Sequence, residues 1–443
     1  MSNSNMTPIS DNTTRREFLR TSAKLAGAVS LASLPVGQTA HAAGSSSIKI
    51  GLVGCGGRGT GAAINAMNAG KDVKLVAMAD LFGDWLQTSR ENLKKAKGEQ
   101  VDVRDDCCFT GFDGWKQLLK TDIDVVLIAA ASHFHPVMLK GAVEANKHIF
   151  CEKPNALDIP GLKIAMAACE EAKKKKLNLV SGLCWRYDYG VRETVKQIQD
   201  GVIGDVVAIQ ENYLGSPYIV RERKPEWSEL EYQFRNWYHF NWLSGDQTAQ
   251  QIIHSIDKSS WIMGDKPPVK AWGMGGRQTC LDPKFGDQFD HQAVVFEYAN
   301  GVRVFGFTRD QQECHNDTSD WVFGTKGRAS IIGHRIEGTK NWKYSGPKPN
   351  MYDVEHAELF EAIRNGRVIN NGDYACLSSA LAIVAQMACY SGEMIAWDEA
   401  MQSKRSFALE RYDWNASPPV KPDAHGRYPT AMQGKAELEK WQI

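Results

Sequence analysis

An apolar run, Ile48–Val53, ends directly in Gly54-Cys55-Gly56-Gly57-Arg58-Gly59, and the residues that follow have helical spacing. A G-x-G-x-x-G turn between a strand and a helix constrains the fold more than any other feature of the chain. Gly54 makes the tight turn, Gly56 lets the backbone approach a pyrophosphate, and Gly59 lets helix and strand pack closely. The helix start, with Gly57 and Arg58 in its first turn, supplies amide donors and positive potential to an anion. The junction predicts a dinucleotide-binding fold.

The surrounding pattern agrees. Ile48–Val53, Leu75–Ala79, Val125–Ala130, His148–Phe150 and Leu179–Gly182 read as strands. The first three are continuously apolar, as strands buried on both faces are. Helices are predicted near Thr60–Asn68, Asp84–Lys97, Gly114–Leu119, Pro136–Ala145 and Ile159–Lys175. This alternation predicts an α/β chain whose N-terminal Rossmann domain, residues 48–186, is a parallel doubly wound sheet.

Beyond Tyr187 the texture changes to long strand-like segments at Val206–Leu214, Val269–Gln278, His291–Tyr298, Val302–Thr308 and Trp321–Phe323. Asn300-Gly301 predicts a type I′ hairpin. Helices are predicted at Thr248–Met263, Val354–Asn365 and Leu377–Met394. Residues 187–443 therefore predict a C-terminal α/β substrate domain with a large, open, mostly antiparallel sheet. A total of 443 residues exceeds one ordinary core. The tail after Trp414 is expected to be irregular and to lie across the surface.

Residues 1–43 read as a leader. Arg15-Arg16 sits in a twin-arginine pattern, Leu25–Val36 is modestly apolar, and Ala40-His41-Ala42 resembles a cleavage site. The apolar stretch is too short to span a bilayer, and no Cys precedes Cys55 for a lipid anchor. The expectation is periplasmic or otherwise exported protein, folded before export and without a membrane anchor. Folding in a reducing compartment predicts that the ten cysteines are mostly free, buried thiols. No Cys/His spacing suggests a metal. Lys+Arg and Asp+Glu both total 52, so no global charge draws the chain to nucleic acid. Lys173–Lys176 reads as a solvated helix end.

Asp80 closes the second strand, 21 residues after Gly59. A carboxylate there accepts hydrogen bonds from ribose hydroxyls and repels a 2′-phosphate. Leu81-Phe82-Gly83-Asp84 brings no cation, so NAD is favoured over NADP, with Arg58 the one nearby cation able to swing towards a phosphate.

Glu152-Lys153-Pro154, with Ser132-His133-Phe134-His135-Pro136 before it, resembles the family of glucose–fructose oxidoreductase, inositol dehydrogenase and the rhizopine-catabolism oxidoreductases (Gfo/Idh/MocA). The resemblance resumes at Gln250-Gln251-Ile252-Ile253-His254-Ser255-Ile256-Asp257 and at Ala396-Trp397-Asp398-Glu399-Ala400. It implies a substrate held between the nicotinamide and the second-domain sheet, and a homo-oligomer formed through that sheet. It places Ser132, His135, Glu152 and Lys153 beside the cofactor, with His133 on the same loop. It makes His254 a proton acceptor or substrate ligand and puts Arg186 where the family has substrate contacts, with a structural salt bridge the equal alternative for Arg186; Asp257, three residues after His254, is a further candidate contact. One departure stands out. The family's dehydrogenases commonly carry an Asp four residues before this His, where this chain has Gln250, which can orient a sugar but cannot ionise.

Residue chemistry points the same way. Oxidising a carbinol needs a hydride acceptor and a group to take the hydroxyl proton, held in line. Lys153 follows the fifth strand at the carboxyl edge, where open α/β sheets bind ligands. Arg235-Asn236-Trp237-Tyr238-His239-Phe240-Asn241-Trp242 offers flat faces and polar tips for a sugar. Trp237, Tyr238 and His239 are the candidate contacts, with one of Trp237 and Trp242 expected to reach the pocket. The chain thus reads as an NAD-dependent oxidoreductase acting on a carbohydrate. An NAD-dependent glycosidase using transient oxidation is the alternative, and a non-catalytic sugar binder the second alternative.

Overall fold

A computed structural model describes residues 47–434; the leader and its twin-arginine pattern lie outside the described residues. The first sheet has six strands: β1 (Ile48–Val53), β2 (Val73–Asp80), β3 (Cys108–Thr110), β4 (Val125–Ile128), β5 (His148–Cys151) and β6 (Leu179–Ser181). Their order is β3-β2-β1-β4-β5-β6 and every pairing is parallel. Successive strands are added outward in one direction from β1 and in the other from β4, so the crevice at the carboxyl ends of these two is the ligand position of a doubly wound sheet. The short β3 was not expected; its Cys-Phe-Thr sequence carries no strand signature of its own.

The second sheet has nine strands: β7 (Val206–Gly215), β8 (Lys270–Gly276), β9 (His291–Glu297), β10 (Arg303–Asp310), β11 (Asp317–Gly324), β12 (Gly327–Ser330), β13 (Arg335–Gly338), β14 (Trp342–Lys343) and β15 (Ile395–Ala396). The order is β14-β13-β12-β11-β7-β10-β9-β8-β15, antiparallel throughout except for β7 with β10. One face, carrying Ile209, Phe296, Val304 and Val322, is buried under the helices Ile253–Ile262 and Gly372–Ser391. The second of these is long and apolar enough to cross a membrane, but it is packed inside the molecule. The opposite face aligns Trp272, Val295, Phe305 and Trp321, with Phe307, Phe323 and Met274 at 37%, 36% and 66% exposure.

Three expectations change. The β9–β10 turn is not type I′, which needs positive φ at both central residues. Only Gly301 has it, at 82°, and Tyr298 bonds Val302 across three intervening residues. The helix expected over Thr248–Met263 is broken into Asp246–Gln250 and Ile253–Ile262. The chain also does not stay in its second domain. Helix Met351–Arg364 returns to pack on helix Gly57–Asn68, burying Val354, Leu359, Phe360 and Ile363 in one cluster with Ile48, Ile50 and Phe150. All ten cysteines are free, with Cys314 exposed, Cys107 and Cys108 partly covered, and the others buried.

Candidate active site

A cleft of about 540 Å³ runs along the carboxyl edge of the first sheet and is roofed by the second domain. At its floor Gly54 has φ +91°, and a Cβ there would come within 2.4 Å of the Ala129 backbone. A Cβ on Gly59 would lie 1.8 Å from the Gly54 carbonyl oxygen. Both positions therefore require glycine. Gly56 and Gly57, by contrast, face open space. The helix they open has no side-chain cap and no acidic residue in its first turn, so its amide donors remain available to an anion. The backbone is shaped for a dinucleotide pyrophosphate.

Asp80 borders the same cleft. Its Oδ2 accepts from Cys55 N at 2.6 Å and its Oδ1 from Phe82 N at 2.8 Å, so the carboxylate is fixed to the glycine turn. Burial raises its pKa to about 6, against these two backbone donors. At neutral pH it remains an acceptor. Arg58 does not reach towards this end. Its Nε donates to Glu152, its Nη2 lies 3.4 Å from Glu355 Oε1, and its guanidinium stacks 4.7 Å from the Tyr352 ring centre. Two carboxylates and a ring hold it at the opposite, Lys153 end of the cleft.

Lys153 and His254 line that end together. Lys153 Nζ donates to the Gln250 carbonyl oxygen at 2.6 Å. The broken helix makes this possible. An unbroken one would give the Gln250 carbonyl to His254 N, whereas here His254 N bonds Gln251 O and Gln250 O is free to accept from the lysine. Burial lowers the Lys153 pKa to about 8, with Glu152 opposing and Arg58 reinforcing the shift. His254 is held well below its usual value by burial first and then by the cations Lys153, Lys258 and Arg58. It is neutral at pH 7, with a buried Nδ1 that has no hydrogen-bond partner.

Gln250 also lines the cleft, but its amide nitrogen is engaged by Ser132 Oγ at 3.0 Å and by the Ser244 carbonyl. Ser132 and His135 are at the cleft wall. Both ring nitrogens of His135 meet carbonyl oxygens, Pro154 O at 2.6 Å and Ala130 O at 3.0 Å, so its ring braces the loop. His133 turns away, to Trp242 O at 2.9 Å and the Tyr412 hydroxyl at 2.7 Å.

Of the aromatic segment, Trp237 and Tyr238 line the cleft, stacked 3.8 Å apart, with Tyr218 stacked 4.2 Å beyond Tyr238. Trp242 is buried and donates to Gln233 Oε1 at 2.8 Å, so Trp237 is the tryptophan that reaches the pocket. His239 does not line it; it is buried, its carbonyl accepting from Asp287 N at 3.2 Å.

Arg186 and Asp257 also lie outside the cleft. Arg186 Nε bridges the Asp257 oxygens at 2.9 and 3.0 Å, and Arg186 Nη2 reaches Asp265 Oδ1 at 2.6 Å. The Tyr374 ring lies 3.9 Å from the guanidinium, and Ser378 Oγ donates to Asp257 Oδ1 at 2.9 Å. Arg186 and buried Asp257 thus form an ion cluster with the partly exposed Asp265, the salt-bridge alternative, away from the cleft where substrate contact is the other expectation. Sequence reasoning missed Tyr218, Arg221 and Tyr352, all on the cleft wall. Tyr218 and Arg221 come from an irregular segment and Tyr352 from a helix distant in sequence, and no motif marks them.

Residues 48–180 match the model of an oxidoreductase family with an NAD-binding Rossmann fold (GFO_IDH_MocA), and residues 191–330 match the GFO/IDH/MocA C-terminal domain. The chain is 26% identical over 379 residues to myo-inositol 2-dehydrogenase of Thermotoga maritima, covering 82% of this chain and 99% of that protein. It is 29% identical over 266 residues to glycosyl hydrolase family 109 protein 5 of Phocaeicola vulgatus, covering 57% of this chain and 49% of that protein. Among solved structures, scyllo-inositol dehydrogenase of Lactobacillus casei, with bound NAD(H) and scyllo-inositol, shares the fold at a TM-score of 0.61 and 20% identity, covering 80% of this chain and 99% of that one.

Proposed function

Because the chain belongs to the Gfo/Idh/MocA oxidoreductase family, we propose that it transfers hydride between a hydroxyl of a sugar or cyclitol and NAD held in the cleft. The observation that carries this reading is the meeting of Lys153 and His254 in the cleft that the Gly54–Gly59 turn opens. The glycine turn, the uncapped helix start and the Asp80 carboxylate fit a dinucleotide, and Asp80 favours NAD over NADP. The chemistry that bound NAD supplies is hydride acceptance at its nicotinamide ring.

The chain's own groups do the rest. Lys153, with a pKa near 8, takes the hydroxyl proton at Nζ. The Gln250 carbonyl fixes the direction of that nitrogen. Neutral His254 orients the same hydroxyl. Trp237 and Tyr238 offer the sugar an aromatic wall. The test is single-turnover reduction of the protein-bound NAD, read by NADH absorbance, with a panel of aldoses and cyclitols. K153M protein whose bound NAD is still reduced at the wild-type rate would sink the assignment.

The twin-arginine pattern at Arg15-Arg16 supports export through the pathway for folded proteins. Outside the cytoplasm free NAD is not replenished, so the cofactor is carried with the protein and returned to its starting oxidation state in each cycle. Purified holoprotein then contains nucleotide. The apolar outer face of the second sheet supports self-association. The relationship to a family 109 glycosyl hydrolase favours a second reading, glycoside cleavage by transient oxidation, elimination, water addition and re-reduction. Release of phenol from aryl glycosides without net NADH separates it from simple dehydrogenation.

A further inference from the structure

The Asp80 end of the cleft is closed by a contact that the chemistry above does not use. Phe82 and Trp85 follow β2 in the first domain, and two cations of the second domain lie on their rings. The Arg235 guanidinium is centred 3.9 Å from the Phe82 ring, and the Arg221 guanidinium 4.6 Å from the Trp85 ring. Neither arginine is loosely placed. Arg235 pairs across the domains with Asp84 at 3.0 Å and within its own helix with Glu231 at 2.8 Å. Arg221 belongs to the irregular segment 216–228, and Asn236 clamps its backbone on both sides. Asn236 Oδ1 accepts from Arg221 N at 2.6 Å and Asn236 Nδ2 donates to Arg221 O at 2.8 Å. Arg221 Nε also donates to Arg235 O at 3.1 Å, so the two cations form one unit.

The geometry points to an inter-domain clasp: the Arg221–Trp85 and Arg235–Phe82 stacks close over the adenosine end of the bound dinucleotide and have to open before it can leave. The second domain, which supplies both cations, thereby sets how long the cofactor stays. The inference rests on the dinucleotide reading of the cleft and adds the residues that govern retention. A clasp has a kinetic signature that ordinary binding contacts lack. Opening it speeds entry as well as exit, whereas losing a direct contact speeds exit alone.

The experiment follows NADH fluorescence in stopped flow, with wild type, R221A, R235A and W85F each stripped of co-purified nucleotide and shown by thermal melting to be folded. Arg221 is exposed, so R221A tests the clasp without disturbing the core. Loss of one exposed cation–ring contact is expected to raise the dissociation rate about three- to fivefold in R221A, with a faster association rate as well. W85F, which keeps a ring under Arg221, is expected to stay near wild type. Dissociation within about twofold of wild type in both R221A and R235A, or faster exit without faster entry, overturns the clasp and leaves the oxidoreductase reading standing. Failure of folded wild type to bind NADH at all overturns both.

Discussion

Lys153 shows how much one residue's environment can be predicted and how much must be seen. Its Glu-Lys-Pro setting and its place after β5 mark it in the sequence. The acceptor that aims it, the Gln250 carbonyl, depends on a helix break that no periodicity announces. With its pKa near 8, kcat/KM for oxidation should rise with pH and level off above about 8, as the ammonium becomes an amine able to take a proton. K153M should lose that limb and about 10²–10⁴-fold in rate, while NADH titration shows the nucleotide still bound. Arg186 gives the opposite lesson. Its partners Asp257 and Asp265 are 71 and 79 residues away in sequence, and burial turns a plausible sugar contact into a structural cluster. R186M should cost about 3 kcal/mol in denaturant unfolding, because it strands the buried Asp257 carboxylate. The kcat/KM of the folded fraction should hardly change; a selective rise in KM would return Arg186 to the substrate.

At the scale of elements, strands buried on both faces and helices with regular spacing were legible, and so was the glycine turn, because those signals are local. The four-residue or shorter strands β12–β15 were not, since pairing with neighbours rather than composition makes them strands. Helix Met351–Arg364 was legible as a helix but not as a part of the first domain. Its His356 stacks 4.2 Å from Phe150 and bonds Tyr352 O at 2.8 Å, and burial lowers its pKa to about 4. The unfolded value is higher, so the stabilisation is complete above about 6.5 and is lost as pH falls from there towards 4. Thermal unfolding of wild type across that window should show the loss, about 3 kcal/mol at its limit. H356F should lack this component of the acid limb; an unchanged pH dependence in the variant would exclude it.

At the scale of the whole molecule, alternation along β7–β11 made the second sheet legible as a half-buried layer. It could not tell which face meets helices, because Phe305 and Val304 are equally apolar neighbours in the chain. Among the described residues no helix packs on the Trp272–Phe305–Trp321 face, where Arg303 lies over Trp272, Arg328 and Arg335 lie over Trp321, and Phe307, Phe323 and Met274 stay exposed. F307E, placing a charge at the centre of that face, should shift the sedimentation of an associated protein to a smaller species with little change in melting temperature. A wild-type monomer at high concentration would exclude the association.

The return of helix Met351–Arg364 also imposes a timetable on synthesis. The ribosome delivers β1 to β6 early, yet the apolar surface around Ile48, Ile50 and Phe150 gains its cover only after residue 364 has emerged. A stalled or truncated nascent chain therefore carries that bare patch to chaperones and proteases, and only a finished one conceals it.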